Sequence, residues 1–193
     1  MAVRSSMAAL ITKVRLLIND TTSATFADQD IQDVLDVSRV DMRYVALTPS
    51  PSYSGATISY LDYYSDFTDW EDDLVLKQYR ITTVTPSTSE NLAGHWIFSA
   101  TTLPPLFIVG KTYDVYRSAA DLLERMAAKW AISFDFTSDG QSFRRSQALP
   151  MLLDLAHRYR LQQRPSVITV QRSDIANSNQ ERNGLRPTEI DFF

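Results

Sequence analysis

The fold is decided by residues 113–163, which read YDVYRSAADLLERMAAKWAISFDFTSDGQSFRRSQALPMLLDLAHRYRLQQ. Small and apolar side chains recur at spacings of three and four in the first part, as on a helix with one face toward a core: Tyr113, Tyr116, Ala120, Leu123, Ala127 and Trp130. A second apolar set indicates another helix: Phe143, Leu149, Leu152, Leu153, Leu155, Ala156 and Tyr159. Because proline inside a helix removes a backbone hydrogen bond and costs about 3 kcal/mol, Pro150 predicts a kink or a break near residues 147–150.

A short aromatic segment joins the two predicted helices and contains an Asp-Gly pair, which readily adopts positive φ. We predict a core turn here, with aromatic side chains packed beneath it, formed by Phe134, Phe136, Asp139, Gly140 and Phe143. The segment also imitates the start of an EF-hand calcium loop, but position twelve, which requires a glutamate, falls on Ser146. The pattern therefore indicates a structural turn.

Two further helices are predicted ahead of this segment. Ser5 or Ser6 can cap the first, which runs to about Ile18, and Asp28 can cap the second, which runs to about Leu47. Runs of β-branched and aromatic residues then predict strands at residues 57–63, 74–85, 95–100 and 106–109.

These elements predict a mainly α fold, a small bundle of about four helices with a β-rich insertion and an extended C-terminal tail. The expected domains are a helical core at residues 1–48 and 111–163, a β-rich insertion at 49–110, and an extended C-terminal arm at 164–193.

The predicted arm differs in composition from the rest. Residues 164 and 165, Arg-Pro, end the last helix, residues 167–170 fit one short strand, and residues 177–184 are polar throughout. The remaining apolar side chains are spaced like the anchors of an extended peptide. The residues expected to contact a partner or a neighbouring chain are Arg164, Ile168, Val170, Ile175, Leu185, Ile190, Phe192 and Phe193. Packing of the arm onto its own domain is the alternative.

Composition restricts the classes of function. The chain of 193 residues has a net charge of −4 and no cysteine, so a dedicated nucleic-acid binder, disulfides and thiol chemistry are not expected. No apolar run approaches the roughly 18 residues that span a bilayer, and Lys13 and Arg15 interrupt the N-terminal apolar stretch, so we expect neither a membrane segment nor a signal peptide. His95 and His157 fall in different elements, which argues against a metal site built on them. We expect no metal and no cofactor.

An acidic cluster interrupts the insertion and comprises Asp66, Asp69, Glu71, Asp72 and Asp73. Dense carboxylates can hold Ca²⁺ or Mg²⁺ or act as an acid–base pair. The acidic residues of this cluster surround two aromatic residues, and their spacing does not match that of a metal-binding loop. We therefore predict a solvated acidic loop, or a patch that faces a basic partner. Three arginines lie at the end of the last predicted helix, where the helix dipole stabilises positive charge: Arg158, Arg160 and Arg164. The alternative role for them is contact with an acidic surface of a neighbouring subunit.

The sequence of residues 113–163 resembles that of the head–tail connector (adaptor) proteins of long-tailed bacteriophages. In that family a Tyr-Asp-Val-Tyr helix start leads through an Ala-rich stretch and an Asp-Phe-x-x-Asp-Gly-x-Ser-Phe turn into Arg-x-Ser-Gln. The corresponding residues here are 113–116, 119–121, 135–143 and 145–147. Residues 10–15, 19–21 and 26–28 fit the family's N-terminal pattern, whereas the last thirty residues, about 164–193, do not match it.

The resemblance implies a structural, non-enzymatic protein of the virion neck between capsid and tail, assembled in the host cytoplasm. Such proteins form a homo-oligomeric ring, a dodecamer, that docks on the portal protein, extends the DNA channel and provides the attachment surface for a downstream stopper or tail protein. Genomic DNA passes through without sequence-specific binding. The resemblance also implies that the C-terminal arm reaches the portal, with Phe192 and Phe193 as anchors.

Two alternatives stay open at this point. One is another neck component, a stopper or a tail-terminator, against which the helical segment argues because those proteins are mainly β. The other is a small metal-dependent hydrolase that uses the acidic loop at residues 66–73.

Overall fold

The computed structural model describes residues 3–55, 57–131, 136–138, 141–143 and 148–165. Within these ranges it has four α-helices and two antiparallel four-stranded sheets. The prediction of a mainly α fold is therefore wrong, and the protein is a mixed α/β fold. No helix in these ranges has both the length and the apolar character needed to cross a membrane.

The helices form one layer of the structure. A short 3₁₀ helix, Ser5–Met7, leads into α1, Ala8–Ile18, and α2 follows at Asp28–Val37. The segment quoted above supplies α3, Val115–Trp130, and α4, Ala148–Gln162. Their shared core is entirely apolar and includes Met7, Leu10, Val14, Ile31, Leu35, Tyr113, Ala119, Leu122 and Leu123. The predicted end of the first helix at Ile18 is confirmed.

The first sheet has the order β1-β8-β4-β5. Its strands are β1, Val40–Ala46; β4, Val75–Gln78; β5, Thr82–Val84; and β8, Leu106–Thr112. The second sheet has the order β2-β3-β7-β6. Its strands are β2, Thr48–Ser54; β3, Thr57–Tyr64; β6, Thr88–Glu90; and β7, His95–Ile97. An aromatic core joins the sheets and includes Tyr63, Trp70, Trp96, Phe98, Leu106 and Ile108.

The second helix ends ten residues earlier than predicted. It stops at Val37, where the hydroxyl of Ser38 donates to the carbonyl of Leu35, and β1 follows at once. Met42 and Val45, expected on a helix face, instead pack against the aromatic core. The cause is non-local, because β1 pairs with β8, with Val40 opposite Thr112. Pairing across 72 residues overrides a local helical pattern.

Strand β2 shows a second departure. Residues 48–51, Thr-Pro-Ser-Pro, were expected to end a helix, but they begin a strand that pairs with β3. Since β2 lies at the edge of its sheet, its prolines need not donate hydrogen bonds to a second neighbour. The predicted strand at 57–63 is confirmed as β3, whereas the stretch predicted as one strand at 74–85 is a hairpin of β4 and β5.

The connection between α3 and α4 also differs from the prediction. Phe136–Ser138 and Gln141–Phe143 form two short antiparallel strands, β9 and β10, with Phe136 opposite Phe143. Phe143 therefore belongs to a strand and not to the last helix. In the described ranges α4 spans Ala148–Gln162 and includes Pro150. Residues 144–147 lie outside these ranges, so the kink or break predicted near residues 147–150 stays a prediction.

Candidate functional site

The predicted site residues are only partly described by the structure. Of the C-terminal arm, Arg164 is described, and seven residues lie outside the described ranges: Ile168, Val170, Ile175, Leu185, Ile190, Phe192 and Phe193. Of the core turn, Phe134, Asp139 and Gly140 also lie outside them, while Phe136 and Phe143 are placed opposite each other in β9 and β10.

The acidic loop divides into two groups. Asp66, Asp72 and Asp73 are exposed, as expected. Asp69 is only 4% exposed and Glu71 is 0% exposed, so the prediction of a solvated loop is wrong for these two carboxylates. The flanking aromatic residue Trp70 is fully buried in the aromatic core, and it carries its two neighbours into the interior between the sheet and the helices.

Glu71 accepts hydrogen bonds from four groups. The hydroxyls of Ser6 and Tyr113 each donate at 2.6 Å, one to Oε1 and the other to Oε2. Arg4 Nε lies 3.1 Å from Oε1, and Lys111 Nζ lies 3.3 Å from Oε2. We call these five residues the Glu71 cluster. It ties the N-terminal segment, β8 and the start of α3 to one buried carboxylate.

The protonation of the cluster follows from these contacts. Burial alone raises the pKa of Glu71, but the hydrogen bonds from Ser6 and Tyr113 and the charges of Arg4 and Lys111 outweigh it and hold that pKa below its usual range. Burial, followed by the bond to Glu71, raises the pKa of Tyr113. The carboxylate is thus held charged and the phenol neutral, which suits a fixed structural contact.

Arg4 extends the cluster to α2. Its guanidinium forms a paired contact with Asp36, Nη2 to Oδ1 at 2.6 Å and Nη1 to Oδ2 at 3.0 Å. Its backbone N–H donates to Gln32 Oε1 at 2.7 Å. The hydrogen bond to Asp36 is the main cause that raises the pKa of Arg4. Two-pronged contacts of this kind fix orientation as well as charge.

Asp69 forms a second junction. Lys13 Nζ of α1 lies 2.5 Å from Asp69 Oδ1, and Arg164 Nη2 lies 3.8 Å from Oδ2. Asp69 also has φ of +60°, a left-handed conformation that Asp and Asn tolerate better than most residues. The residue predicted to start the C-terminal arm therefore contacts the predicted acidic loop within the same chain.

A cleft of about 890 Å³ opens beside this junction. One side carries arginines from the helices, Arg117 of α3 with Arg160 and Arg164 at the end of α4. Another side carries apolar side chains of β1 and of the loop after β3, namely Val40, Met42 and Phe67. Asp66 and Asp114 also line it, and Pro165 lies at its border.

Some of the charged groups that line the cleft have partners within the chain, and others do not. The carboxylate of Asp114 accepts from the backbone N–H groups of Arg117 and Arg164, at 2.9 and 2.8 Å. Arg160 is paired with Asp121 and Glu124 outside the cleft, and we call these three residues the Arg160 cluster. Among the residues that the structure describes, the guanidinium of Arg117 has no ion-pair partner. The cleft can therefore accept an anionic group, with apolar surface beside it.

Several apolar residues of α3 and α4 face outward. Trp130 and Leu153, predicted on core faces, are 42% and 46% exposed, and Met151 and Leu161 are each 74% exposed. The core-facing side of α4 uses Ala156, with Leu152, Leu155 and Tyr159 packed around it. The helix pair thus exposes several large apolar side chains that its own core does not use.

Sequence reasoning missed Arg4, Ser6 and Lys13 as partners of the buried carboxylates, and it placed Tyr113 on a helix face. No local signal could have found these contacts, because Ser6 and Glu71 are 65 residues apart in sequence. A weak signal exists for Asp69 and Glu71, since both flank a tryptophan, the largest apolar side chain.

Within the described ranges no group of three or more His, Cys, Asp or Glu side chains is arranged to hold a metal ion. Comparison with known proteins gave no match: no family model, no curated protein and no solved structure matches this chain.

Proposed function

We propose that this chain is a structural neck protein of a long-tailed bacteriophage, a ring-forming adaptor that docks on the portal, extends the DNA channel and provides the attachment surface for the next neck or tail protein. In this proposal the protein acts in the virion neck after assembly in the host cytoplasm. The sequence resemblance at residues 113–163 supports the family, and the same residues supply α3, the β9–β10 pair and α4.

The observation that carries the proposal is the exposure of large apolar side chains on α3 and α4. Met151 and Leu161 are the most exposed, and Trp130 and Leu153 are also exposed. An assembly can bury such side chains between subunits. If they contact a different surface of the next copy, the contact repeats around an axis and can close into a ring.

The ion pairs of the acidic loop are consistent with this structural role. Asp69 and Glu71 are committed to Lys13, Arg4 and Lys111 within the chain, where they join the helical layer to the first sheet. With a net charge of −4, a ring of such subunits repels the phosphates of DNA in its channel and does not bind them. DNA would pass without sequence-specific contact.

Native mass spectrometry of the chain, alone and mixed with the cognate portal ring, tests the proposal. We expect a complex with about twelve copies per portal, the number that the family resemblance implies. The double variant Met151→Glu and Leu161→Glu should abolish the assembly while circular dichroism stays unchanged. Ile81→Glu, at an even more exposed apolar residue of the β4–β5 hairpin, is the matched control and should assemble normally. A chain that stays monomeric and unbound contradicts the proposal.

Deletion of residues 175–193 tests the part of the arm in this assembly. The proposal predicts that the truncated chain loses binding to the portal and keeps its described fold. Unchanged portal binding would remove the arm from the proposed contact.

A second candidate is another neck component, a stopper or tail-terminator, and the two antiparallel four-stranded sheets favour it. The same experiment separates the two, because such a protein would bind a preformed adaptor ring and not the bare portal.

A further inference from the structure

The cleft between the helices and β1 combines three features that few surface clefts share. It has an unpaired guanidinium, that of Arg117, within the described residues. It has an apolar side formed by Val40 and Met42 with Phe67. It is bordered by Pro165, the last described residue, so the chain leaves the described fold at this cleft.

The sequence beyond Pro165 contains one segment that complements the cleft. Residues 187–193 read PTEIDFF, with two carboxylates and three large apolar side chains and no basic residue. In an extended chain alternate side chains point to opposite sides, so Glu189 and Asp191 share one side while Ile190 and Phe192 share the other. The acidic side of this segment would then pair with the arginines of the cleft. Its apolar side would cover Val40, Met42 and Phe67.

We propose that residues 187–193 dock in this cleft of their own chain before the protein joins any assembly. Residues 166–186 link the segment to the cleft, and 21 residues span up to about 70 Å when extended, which is ample for a return to a site that begins at residue 165. Closing a loop of this size costs little more than closing a shorter one, since the entropic cost grows only with the logarithm of length. Residues within one chain also meet at a high effective concentration.

Charge supports this occupant over a small anion. Arg117 and the exposed part of Arg160 face the cleft from the helices, and Asp66 faces it from the loop after β3. A single phosphate would leave the apolar side chains of Val40 and Phe67 uncovered. An acidic segment with apolar side chains can place its carboxylates toward the arginines and cover the apolar side.

The inference goes beyond the proposed function, because the contact lies within one chain and needs neither portal nor ring. If the adaptor role also holds, the docked segment must leave the cleft before it can reach the portal. The following experiment uses the chain alone, so its outcome is independent of portal binding.

The natural absence of cysteine makes disulfide trapping in the full chain direct. The test variant carries Val40→Cys and Ile190→Cys, and the control carries Ile58→Cys and Ile190→Cys. Val40 and Ile58 are both 47% exposed, but Ile58 lies in β3 of the other sheet, away from the cleft. Under mild oxidation we expect an intrachain disulfide to form at least about tenfold faster in the test variant, measured by intact mass and by mobility on non-reducing gels.

Equal rates in the two variants would overturn the proposal. So would a disulfide between two chains whose yield rises with protein concentration, because it would assign the cleft to a neighbouring copy.

A charge exchange checks the recognition itself. Adding Arg117→Glu to the test variant should slow trapping several-fold, and adding Glu189→Lys with Asp191→Lys should restore it. Arg117 lies in the first turn of α3, where glutamate is favoured by the helix dipole, so this substitution leaves the fold intact. If Arg117→Glu leaves the rate of disulfide formation unchanged, the proposal is contradicted.

Discussion

The Glu71 cluster and the Arg160 cluster both join parts of this molecule through charged side chains, but they differ in their exposure to solvent. The Glu71 cluster lies between the helical layer and the first sheet, and its carboxylate is fully buried. The Arg160 cluster joins α4 to α3 at the surface, where all three side chains meet solvent. Both contain hydrogen bonds of 2.5–2.6 Å to a carboxylate, so these distances alone do not rank them.

The two clusters differ in how far solvent reaches their carboxylates. A buried carboxylate has lost its hydration and depends on its protein partners, so removing either side leaves a group without compensation. A surface pair can exchange each partner for water at little cost. In the sequence the acidic loop looks like one solvated patch. The comparison shows that two of its residues, Asp69 and Glu71, instead connect the helices to the first sheet.

The largest expected effect comes from Glu71→Ala. The variant leaves the buried hydroxyl of Tyr113 without its acceptor and Arg4 and Lys111 without a shared anion, and we expect a loss of about 3–5 kcal/mol in the free energy of unfolding. Urea unfolding followed by tryptophan fluorescence measures it. Asp73→Ala is the control, because exposed Asp73 contacts Lys111 alone, and it should cost less than about 1 kcal/mol. Equal costs would mean that burial does not distinguish these carboxylates.

The pH dependence of stability gives a second test of the Glu71 cluster. The folded-state pKa of Glu71 lies below its ordinary value of about 4.5, so the unfolded chain takes up the proton first as pH falls. The stabilisation is fully present above pH 4.5 and is lost as pH drops through the folded-state pKa. As pH is lowered from about 6 to about 3, we expect the unfolding midpoint in urea to fall more steeply for the natural chain than for Glu71→Gln. Parallel curves would contradict this assignment.

A smaller effect is expected at Asp69, which lies between the two extremes. Asp69→Asn keeps a residue that tolerates positive φ but removes the charge that pairs with Lys13, and we expect a loss of about 1–3 kcal/mol. Asp66→Asn, three residues earlier and exposed, should stay within about 0.5 kcal/mol of the natural chain. Thermal unfolding of both variants side by side provides the measurement.

The same contrast between local and distant contacts explains what the sequence could predict. Helix α1 and strand β3 were predicted nearly to the residue, because their apolar periodicity is local. Strand β1 was predicted as helix because its pairing partner, β8, lies more than sixty residues away. Its side chains Met42 and Val45 fit a helical spacing equally well.

The site shows the limit more sharply. The acidic residues were recognised as a group, yet nothing near Glu71 in the sequence announces Ser6 or Tyr113 as its partners. Burial of a carboxylate is decided by what the fold brings to it, and here those groups come from the N-terminal segment and from the start of α3. Likewise, Trp130 and Leu153 fit core positions by spacing, but the small residues of α3 leave room for only one packed face of α4.

The smallest expected effect completes the comparison at the Arg160 cluster. Arg160→Ala removes contacts of 2.5 Å to Asp121 and 3.0 Å to Glu124, and the hydrogen bond that Arg160 donates to Glu124 is the main cause that raises the pKa of Arg160. Because these groups are hydrated once separated, we expect a loss of only about 0.2–1 kcal/mol, and less in 1 M salt, where the Debye length is about 3 Å. The cost of Glu71→Ala should change less with salt, since the carboxylate that it removes is fully buried. If Arg160→Ala instead proved as costly as Glu71→Ala and equally insensitive to salt, the shared short distances, and not burial, would rank the two junctions.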